Sequence, residues 1–82
     1  MVLVDIYVPA VDKTYDFRLE ESSPVRVIIE EIVEMIGQME RTSVVGNVKS
    51  LLLCDRRREL VLPKKATLHE CGIYNGSSLL LV

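Results

Sequence analysis

The chain contains no tryptophan, one phenylalanine and three tyrosines in 82 residues, so an aliphatic core has to do what aromatic rings do in many small domains. Its four glycines, Gly37, Gly46, Gly72 and Gly76, are isolated from one another, which excludes a glycine-rich loop that cradles phosphate. Soft or imidazole donors are equally scarce: Cys54, Cys71 and His69 are three, one short of the four a closed zinc site takes, and the cysteines are not in paired C-x-x-C spacing. No metal and no cofactor is expected. Long hydrophobic runs are missing as well. Uncharged stretches such as Thr42–Val48 and Gly72–Val82 fall well below the roughly 20 apolar residues that cross a bilayer. Met1–Val8 has no basic segment and is interrupted by Asp5, so no secretory signal is expected and both cysteines are read as reduced cytoplasmic thiols. A chain this short buries only about 60–65% of its extended surface on folding. Residues 1–82 are therefore read as one domain with little room for an enclosed active site.

What is present is charge, unevenly placed. Residues 1–40 hold nine acidic and three basic side chains, whereas residues 41–82 hold seven basic and three acidic ones. A basic half steers acidic partners, but a nucleic-acid binder needs a larger surplus with aromatics interleaved, and no nucleic-acid partner is expected.

Apolar periodicity supplies the elements. Val2, Val4, Ile6 and Val8 alternate with Leu3, Asp5 and Tyr7, which predicts a strand. Pro9–Lys13 breaks it, and Tyr15, Phe17 and Leu19 alternate with Asp16 and Arg18 in a second strand, closing a hairpin. Ser22-Ser23-Pro24 predicts a helix start with a serine cap. The apolar stripe Val25, Ile28, Ile29, Ile32, Val33, Ile36 and Met39 follows at three- and four-residue steps, with Glu30, Glu31 and Glu34 opposite and Arg26 spaced to pair with Glu30. Arg41–Asn47 reads as a connection, Lys49–Cys54 as a third strand, Asp55–Glu59 as a charged turn and Leu60–Leu62 as a short fourth strand. Thr67–Ile73 is too short for an ordinary helix, and Gly72 suggests one turn closed by a left-handed residue. Asn75-Gly76 turns the chain into a last strand, Ser78–Val82.

Hairpin, helix, hairpin, short turn and final strand is the order of an α+β, ubiquitin-like β-grasp: a mixed five-stranded sheet with one main helix and a short 3-10 turn. The expected inward residues are the helix stripe together with Val4, Ile6, Tyr15, Phe17, Leu19, Leu51, Leu53, Leu60, Leu68, Ile73, Leu79 and Leu81. Leu51–Leu53, Leu60, Thr67-Leu68, Ile73 and Ser78-Leu79 follow the second half of ubiquitin at similar spacing. Leu68-His-Glu-Cys-Gly-Ile-Tyr-Asn-Gly76 resembles the L-x-x-C-G-I-x-N-G segment of the YukD/EsaB family of ubiquitin-like proteins, which accompany type VII (WXG100, ESX-like) secretion systems of Gram-positive bacteria. That resemblance implies a cytosolic or membrane-peripheral accessory that binds a protein of the secretion machinery. Conjugation through the carboxyl end, as in ubiquitin and the sulfur carriers, needs a flexible Gly-Gly tail, and the sequence ends Leu79-Leu-Leu-Val82 inside the last strand. No conjugation is expected. A modifier whose tail lies outside the sequence, or a domain excised from a larger membrane subunit, are the alternatives.

With Leu51, Leu53, Leu79 and Leu81 facing the helix, pleating sends Leu52, Leu80 and Val82 to the opposite sheet face, where Leu3 and Tyr7 join them. Two readings stand: a surface for a protein partner or a second copy of the chain, or residues that only support strand pairing or lie beneath the 41–48 connection. Arg56, Arg57 and Arg58, with Lys64 and Lys65, are read as a basic rim beside that face, which is either a solvated turn or a dock for an acidic segment or anionic headgroups. No catalytic residues are expected. Nucleophilic catalysis needs a thiolate beside a base oriented by a third group, but Cys71 and His69 stand in a short turn with one residue between them and no cleft is evident, and the helix glutamates lie on a solvated side.

Overall fold

A computed structural model describes residues 1–40 and 47–82; the connection read at Arg41–Asn47 lies outside the described residues except for Asn47. Strands β1 (Val2–Val8) and β2 (Lys13–Leu19) form the first hairpin, in the register Val4 to Phe17 and Ile6 to Tyr15. The helix α1 spans Val25–Glu40. A 3-10 turn at Val48–Ser50 leads into β3 (Leu53–Asp55), then β4 (Leu60–Val61) and β5 (Ser78–Leu81). The sheet order is β2-β1-β5-β3-β4, with β1 and β5 parallel and the other pairs antiparallel, so the first and last strands of the chain are neighbours.

One face of this sheet is covered. Val4, Ile6 and Val8 of β1, Phe17 and Leu19 of β2, Leu53 of β3 and Leu79 and Leu81 of β5 are buried together with Val25, Ile28, Ile29, Ile32 and Ile36 of α1. Burying one such aliphatic side chain contributes about 1.5–3 kcal/mol, so this two-layer contact is the main source of stability in a chain without tryptophan. Tyr15 and Val33, expected inside, are half-buried at its margin.

Several sequence expectations shift in detail. Lys49 and Ser50 belong to the 3-10 turn, whose cap is the Asn47 carboxamide oxygen accepting the Lys49 N–H at 3.0 Å, so β3 starts later than the leucine run suggested. Pairing nonetheless extends backwards, because Leu52 and Val82 exchange N–H to carbonyl bonds at 2.6 and 3.0 Å. In the second hairpin the inward residue is Leu62, 3% exposed, whose N–H bonds the Leu53 carbonyl at 2.8 Å, while Leu60 is 51% exposed. Leu60 has the right parity but sits beside Asp55 at the end of a two-residue edge ladder, where no neighbouring strand covers it. Met39 is likewise on the stripe and exposed, in the last turn of α1.

The helix start also differs from the serine cap. The Val25 and Arg26 N–H groups donate to the carbonyls of Ala66 (2.8 Å) and Lys64 (3.0 Å), so main chain from residues 64–66 satisfies donors that a helix start leaves open. Arg26 and Glu30 do not form an ion pair; among the described residues the pairs are Met1 amino group–Glu21, Lys13–Glu40 and Arg58–Asp55.

The Thr67–Ile73 segment is one turn with both ends closed. Thr67 N–H donates to Glu70 Oε1 (2.9 Å) and Glu70 N–H to Thr67 Oγ1 (3.0 Å), a reciprocal capping box. At its other end Gly72, with φ 74°, lets its own N–H reach the His69 carbonyl and the Ile73 N–H reach the Leu68 carbonyl, both at 3.0 Å. Leu68 and Ile73, the two residues joined by the second of these bonds, are both buried in the core.

Candidate protein-binding face

The sheet face away from α1 is organised in rows by the strand registers. Tyr7 pairs with Leu80, Leu80 with Cys54 and Cys54 with Val61, so one row crosses β1, β5, β3 and β4 with no charged member. Val61 is 55% exposed, Cys54, Leu80 and Tyr7 are partly exposed, and the adjoining Leu52–Val82 pair is exposed. The structure thus brings together four of the five apolar residues expected on this face and adds Cys54 and Val61. Cys54 follows from the pleating that sends Leu52 outward, whereas Val61 was legible only once the β3–β4 register was known, since a two-residue strand has no periodicity to read.

Leu3 is exposed on the same face but stands apart. Between it and Tyr7 runs a polar row: Asp16 pairs with Asp5, Asp5 with Ser78, and the Arg56 N–H bonds the Ser78 carbonyl at 3.0 Å. Ser78 Oγ donates to Asp5 Oδ2 at 3.0 Å. Leu3 is instead held by the end turn, its N–H donating to Asn75 Oδ1 (2.9 Å) and its carbonyl accepting from Gly76 N–H (2.8 Å).

The arginines do not act as one solvated run. Arg58 Nε donates to Asp55 Oδ2 at 2.7 Å and its Nη2 bonds the Cys71 carbonyl, tying the β3–β4 turn to the one-turn segment. Arg57 Nη1 donates to the Tyr74 hydroxyl at 2.8 Å. Arg56 lies over the Tyr7 ring, 5.5 Å from its centroid, in cation–π geometry on the apolar row itself. Tyr7 is fixed in turn by its hydroxyl donating to Asp12 Oδ1 at 2.8 Å, and this bond, with some burial, raises its phenol above the usual range. Lys64 is elsewhere: its Nζ bonds the Lys49 carbonyl and its own carbonyl caps the α1 N-terminus, so it is not part of the arginine rim.

Asp55, read from sequence as a turn residue, is the buried end of β3 at 4% exposure. Burial pushes its carboxyl up, but hydrogen bonds from Arg58 and the Arg57 N–H, with the Arg58 charge, outweigh that and hold it below the ordinary carboxylate range. Burial raises the Cys71 thiol, against a smaller lowering by Arg58, which is opposite to what a nucleophilic thiolate requires. His69 is exposed, and its N–H is held by the Glu21 carbonyl at 2.9 Å.

A helix packed on one face of a five-stranded sheet with parallel first and last strands defines a ubiquitin-like domain. By sequence the chain belongs to the YukD family, described as WXG100 protein secretion system protein YukD, whose model matches residues 2–81. Among solved structures it is similar to the EccD5 ubiquitin-like domain from Mycobacterium xenopi, with 21% identity and a TM-score of 0.80 over 99% of this chain and 91% of that one. It is similar also to an N-terminal ubiquitin-like domain solved in solution (23% identity, TM-score 0.76, 99% and 72% covered). A third similar structure is a ubiquitin-like domain of an Arabidopsis thaliana protein (16% identity, TM-score 0.73, 99% and 74% covered). No curated protein matches it.

Proposed function

We propose that the protein is a noncatalytic docking module of a WXG100 (type VII) secretion system that works in the cytoplasm by binding another protein of the machinery. The observation that carries this reading is the row of uncharged residues Tyr7–Leu80–Cys54–Val61 with Leu52 and Val82 beside it, on the sheet face opposite the helix, where among the described residues Arg56 lies over the Tyr7 ring and the other members stay partly or fully exposed. Contiguous apolar surface of this kind, rimmed by polar groups, is what protein interfaces are made of. Arg56 and Arg57, held in place by tyrosines, add oriented donors for an acidic segment of the partner. The raised Cys71 thiol, opposite to what a nucleophile requires, supports the noncatalytic part of this reading. In this reading the protein acts without being conjugated, and Val82, whose N–H and carbonyl are both bonded to Leu52, serves the sheet. No described helix is long and apolar enough to cross a membrane, and in this reading contact with one is peripheral.

The test is the double variant Leu52→Asp, Leu80→Asp. Both side chains point away from the core, so the circular dichroism spectrum stays that of the parent, while capture of secretion-system components from the native host is lost. Undiminished capture by a folded double variant would remove the outer face from the mechanism.

A further inference from the structure

The outer face carries acids and a base that, among the described residues of one copy, form no ion pair. Asp5 and Asp16 are directly opposite each other on β1 and β2, a like-charge pair that destabilises an antiparallel ladder. Among the described residues neither carboxylate has an ion-pair partner; Arg18 flanks them opposite Leu3 but forms no salt bridge with either. The same row, continued across the sheet, runs Asp16–Asp5–Ser78–Arg56: acid on one side of β5, a neutral residue on β5, base on the other side. β5 is also the middle strand of five.

Such a row matches itself when turned over. A two-fold axis lying in the interface and parallel to β5 lays β1 of one copy over β3 of the other. Asp5 of each copy then faces Arg56 of the other, Leu80 meets Leu80 on the axis, and Tyr7 covers Cys54. Strands about 4.8 Å apart and face-packed sheets about 10 Å apart place Asp5 and Arg56 at equal offsets from the axis, a gap that an arginine side chain spans. A two-fold axis across the strands instead stacks like charge on like, or the polar row on Leu52 and Val82.

Resting on the reading of this face as a docking surface, we infer that its occupant is a second copy of the chain, in an isologous face-to-face dimer with Asp5–Arg56 pairs on both sides of an apolar seam centred on Leu80. The secretion machinery then receives a dimer. The apolar row supplies adhesion, and the charge row selects the orientation.

The experiment is sedimentation velocity on the full chain and three variants. Wild type sediments as a dimer. Asp5→Lys and Arg56→Glu, each alone, place like charges at both symmetric contacts and weaken dimerisation about tenfold or more. An equimolar mixture of the two restores the dimer, because the lysine introduced in one chain then faces the glutamate introduced in the other, and the chain carrying both changes dimerises with itself. Circular dichroism confirms that each variant is folded; if Asp5→Lys unfolds through loss of its bond from Ser78, the comparison of Arg56→Glu with wild type decides alone. A monomeric wild type at the concentrations used for NMR overturns the inference, as does a dimer indifferent to both charge reversals. A monomer that still loses partner capture on Leu52→Asp, Leu80→Asp overturns the dimer alone and leaves the docking face standing.

Discussion

Asp55 Oδ2 accepts a hydrogen bond from Arg58 Nε at 2.7 Å, and the same carboxylate, through Oδ1, accepts the main-chain N–H groups of Arg57 (3.0 Å) and Arg58 (3.3 Å). One buried acid thus organises the β3–β4 turn, from which Arg56 reaches the Tyr7 ring and Arg57 the Tyr74 hydroxyl. Glu59, in the same turn, takes a left-handed conformation at φ 56° that such anchoring has to hold.

Replacing this carboxylate should therefore be strongly felt at a buried position. Asp55→Ala is expected to lower stability by about 1–3 kcal/mol in urea unfolding, and Asp55→Asn by less, because the amide oxygen keeps an acceptor for one of the donors.

Acid should act through the same group. Its carboxyl is held below the ordinary range in the folded state, so its stabilisation is fully present above the unfolded value of about 4 and is lost as pH falls through the lower folded value. Urea midpoints measured downward from pH 6 should fall below about pH 4, and Asp55→Asn should flatten part of that fall, the remainder coming from Glu21 and Glu40, whose carboxyls are likewise held down by the Met1 amino group and Lys13.

Gly76 tests conformation without packing. It has φ 94°, and a Cβ built on it meets nothing within 4 Å. Gly76→Ala is expected to cost about 1–2 kcal/mol from backbone strain alone. Gly72→Ala, at φ 74°, should cost a similar amount from the same backbone strain, since a Cβ there only touches Arg58 Nη1 at 3.4 Å.

The second hairpin offers a paired control. Leu62→Ala should lose about 2–4 kcal/mol, as for a core leucine, whereas Leu60→Ala, two residues away on the same strand parity, should change stability by no more than about 0.5 kcal/mol. Equal losses would mean that the hairpin register is shifted.

Alkylation gives a check on the thiols. With its thiol raised by burial, Cys71 should react with iodoacetamide more slowly at about pH 7.5 than a free cysteine, gain rate toward about pH 9.5, and match the free thiol in denaturant, as followed by mass spectrometry.

The long elements were legible in the sequence because their periodicity is local. Seven alternating residues at Val2–Val8, and five buried positions repeating through Val25–Ile36, can satisfy only one element each, and Gly72 marks a turn that needs a left-handed residue. The short elements were not legible in the same way. β4 has two residues, and which of Leu60 and Leu62, on the same face, is covered by the core depends on which one stands opposite Leu53, a choice made by a turn that Asp55 ties down. For the helix cap, the local signal of Ser22-Ser23-Pro24 was overridden by carbonyls from Ala66 and Lys64, about forty residues away in sequence.

The amino-acid order alone settled which residues are apolar, how they alternate, and hence that a helix and two hairpins share one core, since each of those facts depends on neighbours a few positions apart. Folding decided what lies side by side on the far face: that Leu80 joins Tyr7 to Cys54, that Leu3 is cut off by Asp5 and Ser78, and that three consecutive arginines take three separate partners. Those relations are set by strand register, and register follows from hydrogen bonds between segments as much as about seventy residues apart, which no local pattern encodes.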